Sequence, residues 1–408
     1  MSSDLFKSPF SDDYEFNHEM SDLISIDNDE IAGEDGFLDD THNIQDIVVY
    51  SRDWTVETVV TQIEKGNIDL NPEFQRRNAW NDTKKSSLIE SYLIGYPVPE
   101  IVLAEHPRER RKFIVIDGKQ RLLTLCGFLL NEKYGSWKKP RLKGLRDLKD
   151  LNGKDFSDLK EDINLTKYIR MLANSDVRCT VISNVNNDDV LYDIFYRLNA
   201  GATPLSIQEL RQVLYSGPFT KFLIEYTSKL NNFHKVLKLN RPDDRLKDVE
   251  TVLRVLSFIN NINNYNGNLK KHLDNYTIYS NDNWKDIESK IKSQLNDIEE
   301  VIYILSKKMK GFENIGRKWN VEKAKMDSRF NTVIFEVQIY FAYHGKEHLK
   351  NIDCDRFNDA FNELCEDKNF IASISSSTKN IKEYSVRYEL FGEMFKNLTG
   401  VNIEYPWK

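Results

Sequence analysis

Within five positions, Asp117-Gly118-Lys119-Gln120-Arg121, the chain sets an acid, a glycine, two bases and an amide side by side. A carboxylate at the end of an apolar run can hold a divalent cation or polarise a water. Lys119 and Arg121 fall in the first turn of the helix that follows. Backbone N–H groups are unpaired there, and the local dipole already favours anions. Phosphate binding is the chemistry this set supports. A charged strand–turn–helix corner without a ligand is the alternative that the residues alone leave open.

Such a turn needs a strand before it and a helix behind it. Ile114-Val115-Ile116 reads as the strand, and Leu122, Leu123 and Leu125 begin an apolar helix. Pro97 and Pro99 bracket the entry to a second strand, Ile101–Ala104, and the charged stretch Arg108–Lys112 joins the two as a hairpin. Upstream, Thr55 precedes Val56, Val59, Val60 and Ile63, spaced for one helical face that Gly66 stops. Asn71-Pro72 forces an extended loop carrying Gln75, Arg76 and Arg77, followed by Trp80, which reads as a core anchor. Asn81 or Asp82 then caps a helix with Leu88, Ile89, Tyr92 and Leu93 inside, ending at Gly95.

Downstream, a Lys-rich insertion over 134–160 reads as a surface loop with short local structure. Its bases could touch a phosphate backbone or simply be solvated. Val177–Ile182 alternates like a strand, and Asp188–Leu198 has the spacing of a helix that stops at Asn199-Ala200-Gly201. Ser206-Ile207-Gln208-Glu209 is a capping box for a helix that carries Arg211 and closes at Gly217-Pro218.

In this order, Phe74-Gln75-Arg76, Trp80, Leu88-Ile89-Glu90-Ser91, Gly95-Tyr96-Pro97-Val98-Pro99, Asp117-Gly118-Lys119-Gln120-Arg121-Leu122, Phe195–Gly201 and Leu205–Arg211 resemble the N-terminal domain of GmrSD-type modification-dependent restriction enzymes. That family belongs to the wider ParB/sulfiredoxin-like superfamily, and the resemblance covers about residues 50–217. It implies an α+β N-terminal domain over 49–218 with an Asp-Gly-x-Gln-Arg motif linked to nucleotide binding and hydrolysis. Related proteins couple this to sensing or cutting modified foreign DNA.

Placed on this chain, the resemblance makes Asp117, Gln120 and Arg121 the catalytic candidates, with Asp117 the Mg²⁺ ligand. Gln75, Arg76, Arg77, Gly118, Lys119, Arg197 and Asn199 become the nucleotide contacts. Gly118 would let the backbone approach a phosphate. Lys119 and Arg121 would neutralise phosphate charge, Arg121 through a two-pronged contact. Arg197 has a plainer alternative, the capping of helix carbonyls. Expected partners are a nucleoside triphosphate, DNA and a separate nuclease subunit. A non-catalytic module that recognises DNA or nucleotide through the same turn is the competing function.

Composition narrows the setting. The 408 residues suffice for two domains. No stretch approaches the ~20 apolar residues of a membrane span, and Met1-Ser2-Ser3-Asp4 has neither the basic nor the apolar part of a signal peptide. Four isolated cysteines read as reduced core residues of a cytosolic protein. The net charge of −7 is unevenly placed: residues 1–48 hold fourteen acids and one lysine, which leaves the remainder at +6. The leader over 1–48 reads as disordered, a solubilising tail or a shield for a basic groove.

From 219 to 408 the pattern is mostly helical, with helices expected over 248–258, 291–309 and 331–343 and loops at Asn-rich stretches such as 260–264. GmrSD enzymes with two modules carry a His-Asn-His-type nuclease in this half. The seven histidines here offer no such set, and His344 with His348, one helical turn apart, resembles a zinc-protease motif only superficially because Gly345 replaces its general base. The downstream nuclease is therefore not evident, and DNA cleavage falls to a separate nuclease or, as the least favoured alternative, to direct nicking by Asp117 and nearby carboxylates.

Overall fold

The computed structural model describes residues 47–70, 80–107, 109–130, 137, 140–185, 191, 194, 206–375 and 381–407. The leader, the loop with Gln75, Arg76 and Arg77, and the segment with Arg197 and Asn199 lie outside the described residues, as does most of the helix expected over 188–198. Two compact units are present. One takes the described residues up to Ser228 together with Pro242–Val249; the other takes Lys229–Arg241 and Glu250 onward.

In the first unit, β1 (Val48–Thr55), β2 (Ile68–Asp69), β3 (Ile101–Glu105), β4 (Phe113–Asp117) and β5 (Asp176–Ser183) form a mixed sheet in the order β1-β5-β3-β4-β2. The β3–β4 hairpin is antiparallel with a register shift between Val102 and Leu103, while β5 on β3 and β2 on β4 run parallel. Among the described residues, seven α-helices accompany the strands: α1 (Val56–Glu64), α2 (Asp82–Ile94), α3 (Lys119–Leu129), α4 (Phe156–Glu161), α5 (Thr166–Ala173), α6 (Ile207–Leu214) and α7 (Pro218–Thr227). Local chemistry sets their ends. Thr55 accepts from the Thr58 amide to start α1, Asn81 rather than Asp82 caps α2, and Gly95 closes α2 in the left-handed region at φ 77°. Apolar faces of α1, α2 and α3 meet the sheet in one core, with Trp80 half-buried against it.

Strand β1 has no counterpart in the sequence reading. It lies at the sheet edge and its first six residues are exposed, so it carries no alternating pattern to detect.

The Lys-rich insertion departs from a loop laid on the surface. Its leucines recur every third residue, and Leu142, Leu145 and Leu151 are buried with Leu148 half-buried, while Lys143, Arg146 and Lys149 face solvent. Glu90, buried in α2, accepts the backbone N–H groups of Arg146, Asp147 and Leu148 at 3.1, 2.9 and 2.9 Å. Ser86 accepts from the Lys143 amide. Apart from a 3-10 turn at Lys149–Leu151, the short local structure expected here, the leucine stretch is irregular, and one carboxylate satisfies three donors that burial would otherwise leave unpaired.

The second unit is built mainly from helices α8 (Asn232–Val236), α9 (Lys247–Asn261, begun in the first unit), α10 (Leu269–Asp282), α11 (Trp284–Lys308), α12 (Thr332–His344), α13 (Lys346–Lys350), α14 (Cys354–Leu364), α15 (Lys368–Ser375) and α16 (Ile381–Thr399). Helix α9 runs through Asn260, where a loop was expected, because Asn260 exchanges amide hydrogen bonds with Gln294 of α11 at 3.0 Å. Its Arg254 reaches Glu336 of α12 with Nε at 2.6 Å, both side chains buried. Helices α12 and α13 meet at Gly345, where a β-carbon would run into the Phe395 ring, so His344 and His348 lie on separate helices. All four cysteines are free. Burial pushes the thiols of Cys126 and Cys179 up to about 12 and that of Cys365 to about 11, the behaviour of inert core residues. No helix among the described residues is long and apolar enough to cross a membrane.

Candidate functional site

Strand β4 delivers Asp117 to its exposed end, and the chain turns at Gly118 into α3. Gly118 has φ 91°, a conformation that L side chains rarely adopt, and no side chain caps the helix it opens. A β-carbon here would overlap Cδ1 of the buried Ile101 and lie 3.0 Å from Nη2 of Arg121. The expectation was of a glycine that leaves room for a ligand. Within the described residues the space is already taken by β3 and by the guanidinium.

The charges of the turn separate to two flanks. On the β3 side, Arg121 Nη2 donates to Asp117 Oδ2 at 2.8 Å and to the Glu100 carbonyl at 3.1 Å. The Arg121 side chain is 13% exposed and that of Asp117 51%. Asp117 thus remains open to solvent with one oxygen engaged by a cation. On the β2 side, half-buried Lys119 lies in the field of Glu209 and Asp69. Surrounding protein desolvates it and lowers its ammonium below the usual lysine range, and the two carboxylates pull it back up. Burial raises Glu209, against the pull of Lys119, the Ser206 amide and Arg245. Glu209 closes the expected capping box of α6, accepting from Ser206 N at 2.7 Å while Ser206 Oγ accepts from its own amide. Arg211 on the same helix is buried and donates to Gln208 at 2.6 Å.

Between the flanks, Gln120 Oε1 and Arg121 Nε are shielded from solvent and have no hydrogen-bond partner among the described residues. Two such atoms adjoin at this turn, and others are scattered through both units. For a metal the fit is poor. Among the described residues no three His, Cys, Asp or Glu side chains converge, and Asp117 is a single carboxylate shared with Arg121. Among the described residues the turn offers Mg²⁺ a single carboxylate.

Of the expected residues, the structure brings Asp117, Gly118, Lys119, Gln120 and Arg121 together, though with Lys119 and Arg121 held by different acids. Three residues at the turn carried no expected site role. Glu100 contributes through its carbonyl, Asp69 ends a two-residue strand, and Glu209 read only as a helix cap.

The class of domain is therefore a mixed α/β sheet carrying a charged strand–turn–helix corner at the end of β4. Residues 56–216 match the family described as "GmrSD restriction endonuclease, N-terminal domain". No curated protein and no solved structure matches the chain.

Proposed function

We propose that the chain is a nucleotide-binding and nucleotide-hydrolysing module of a restriction-type DNA-defence system, acting on foreign or modified DNA. The family of residues 56–216 supports the setting. The observation that carries the nucleotide is the uncapped start of α3 behind Gly118, with Gln120 Oε1 and Arg121 Nε shielded and unpartnered beside it. Helix N–H groups would take phosphate oxygens there. Arg121 keeps its hold on Asp117 through Nη2 and offers Nε to the anion. Gln75, Arg76, Arg77, Arg197 and Asn199 complete the proposed contacts. Mg²⁺ would arrive on the triphosphate, which supplies oxygens that the turn lacks.

Phosphate release from ATP, GTP, CTP and UTP with Mg²⁺, with and without plain or modified DNA, tests this. Turnover of at least one nucleotide is expected. Arg121→Ala should reduce it about 10- to 100-fold, the worth of one charge-assisted contact. Absence of turnover with every nucleotide would sink the hydrolytic reading. A second reading has its own observation: Asp117 is already neutralised by Arg121, so the turn could recognise nucleotide or DNA without catalysis and work with a separate nuclease. That reading expects saturable binding without turnover, with strong salt dependence if DNA is the ligand.

A further inference from the structure

A cavity of about 260 Å³ opens in the second unit between the end of α8 and a two-stranded hairpin, β6 (Trp319–Asn320) and β7 (Lys325–Met326). Lys238 lines it from the α8 side, Lys323 and Lys325 from the hairpin, and Glu313 and Asp327 are the acids of the lining. The three lysines are exposed, and none forms an ion pair among the described residues. The acids are engaged elsewhere. Asp327 accepts from Asn320 Nδ2 at 3.0 Å and lies 3.9 Å from Lys318 Nζ. Glu313 folds back over Gly311, where a β-carbon would meet its carboxylate, and acts on Lys238 through the field without pairing.

Arg317 braces both sides from within. Its buried guanidinium donates to the Val236 carbonyl from Nη1 and Nη2, both at 3.1 Å, and to that of Ile315 at 2.9 Å. Its Nε donates at 3.3 Å to the carbonyl of Ser328, a lining residue. Every acceptor is a neutral carbonyl, so a positive charge is buried with no carboxylate in contact. Burial lowers Arg317 to about 10, which leaves it protonated at neutral pH. Burial and then Arg317 hold Lys238 below the usual lysine range, against the pull of Glu313. Lys238 also takes φ 57°, at the position past a helix end that glycine usually occupies. Leu239 N donates to His234 O at 2.8 Å and Lys238 N to Lys235 O at 3.2 Å, the two bonds of a Schellman turn. With Val236 O taken by Arg317, the helix end needs no ammonium as a cap. A lysine kept in a left-handed turn therefore points to a use for its side chain.

We propose that this cavity is a backbone-phosphate contact for DNA, with Lys238, Lys323 and Lys325 taking the phosphate oxygens and Arg317 holding its two sides in place. The choice of DNA rests on the restriction-type setting proposed above, while the cavity shares no residue with the Asp117–Arg121 turn. With Arg317 counted, four cations meet two acids here, and Lys318 shares one of those acids. Glu322, beside Lys323 in the hairpin turn, does not line the cavity. An anion balances this set. The volume falls below the ~300–1,000 Å³ of small-molecule sites. One phosphate of a polymer that runs outside therefore fits better than a whole nucleotide. Contacts of this kind position DNA without reading its sequence.

The test is fluorescence anisotropy of the full chain with labelled DNA duplexes across a salt series, with phosphate release from nucleotides followed in the same variants. Wild type, Lys325→Ala, Lys238→Gly and Lys285→Ala are compared, Lys285 being an exposed lysine of α11 outside the cavity. Each cavity variant should weaken DNA about 3- to 10-fold and lower the salt slope by about 0.9, equally for different duplex sequences. Lys285→Ala should do neither. Lys238→Gly relieves the left-handed backbone as it removes the charge, so its urea midpoint should hold or rise while DNA affinity falls. Unchanged affinity and slope in either cavity variant overturns the proposal. So does an equal loss in Lys285→Ala, which marks general charge attraction. Loss of nucleotide turnover with DNA affinity intact makes the occupant a free nucleotide and overturns it as well. If wild type binds no DNA the proposal fails, and nucleotide turnover by that same chain would leave the hydrolytic reading standing.

Discussion

Gly118 is placed by two independent constraints, and they can be separated by a double-mutant cycle. Gly118→Ala forces a β-carbon into φ 91° and against Cδ1 of Ile101. The backbone part costs about 1–2 kcal/mol, the usual left-handed penalty for an L residue. The overlap adds about 1–3 kcal/mol, because Ile101 is fully buried on β3 and cannot swing away without disturbing its neighbours. The single substitution should therefore cost about 2–5 kcal/mol. Ile101→Ala costs about 2–5 kcal/mol on its own through its cavity, and it also removes the atom that the added β-carbon meets. The two losses should fall short of additivity by about 1–3 kcal/mol, the overlap part alone. Urea unfolding of wild type, both single variants and the double variant measures this. Losses that add to within about 0.5 kcal/mol would refute contact with Ile101 as the reason for glycine, leaving backbone conformation alone.

Glu90→Gln leaves a single oxygen for three backbone donors and sets an amide N–H₂ against at least one of them. Losing one charge-assisted bond and stranding one donor should cost about 2–4 kcal/mol in urea unfolding. Hydrogen exchange at residues 146–148 should accelerate ahead of the β4 amides; unchanged protection there would show that Glu90 does not hold the segment. His272 is buried between the rings of Phe258 and Tyr265, at 5.0 and 5.3 Å, and burial lowers its pKa to about 4. Below the ordinary histidine value of 6.5 the unfolded chain takes a proton that the folded one refuses. The contribution of neutral His272 is thus present above pH 6.5 and lost between about 6.5 and about 4, by up to about 3 kcal/mol. His272→Phe should flatten that interval of the stability–pH curve, and a slope equal to wild type would assign it to other groups.

Elements with periodic apolar residues and capping side chains were legible from sequence. The helices after Thr55 and Asn81, the β3–β4 hairpin, the Ser206–Glu209 capping box and the long helices of the second half all carry such signals. The run Asp117–Arg121 was legible as a charged strand–turn–helix corner because its residue types adjoin in sequence. What sequence could not show was pairing across distance. Lys119 and Arg121 read as neighbours on one helical turn, yet they face acids from different elements, Glu209 and Asp69 for one and Asp117 for the other. Strand β1 escaped because an exposed edge has no periodicity. The leucines at every third position from 142 to 151 escaped because a period of three matches neither an α-helix nor a strand, and only Lys149–Leu151 takes a 3-10 turn. Glu90, the carboxylate that makes that stretch possible, looked like any polar residue in a helix.

Because Pro242–Val249 belongs with the first unit, the chain leaves that unit after Ser228, contributes Lys229–Arg241 to the second, and comes back before leaving again within α9. The order of synthesis then matters. A nascent chain that ends at 228 has every strand of the five-stranded sheet but lacks the residues that Asp243 and Asp248 brace. The first unit is complete only once residue 249 has cleared the ribosome, by which time the first helix of the second unit is already available. Domains emerging in sequence are generally expected to fold one after the other. Here the two should fold in overlapping steps. A fragment cut after 228 should unfold at a lower urea concentration than one extending through 249.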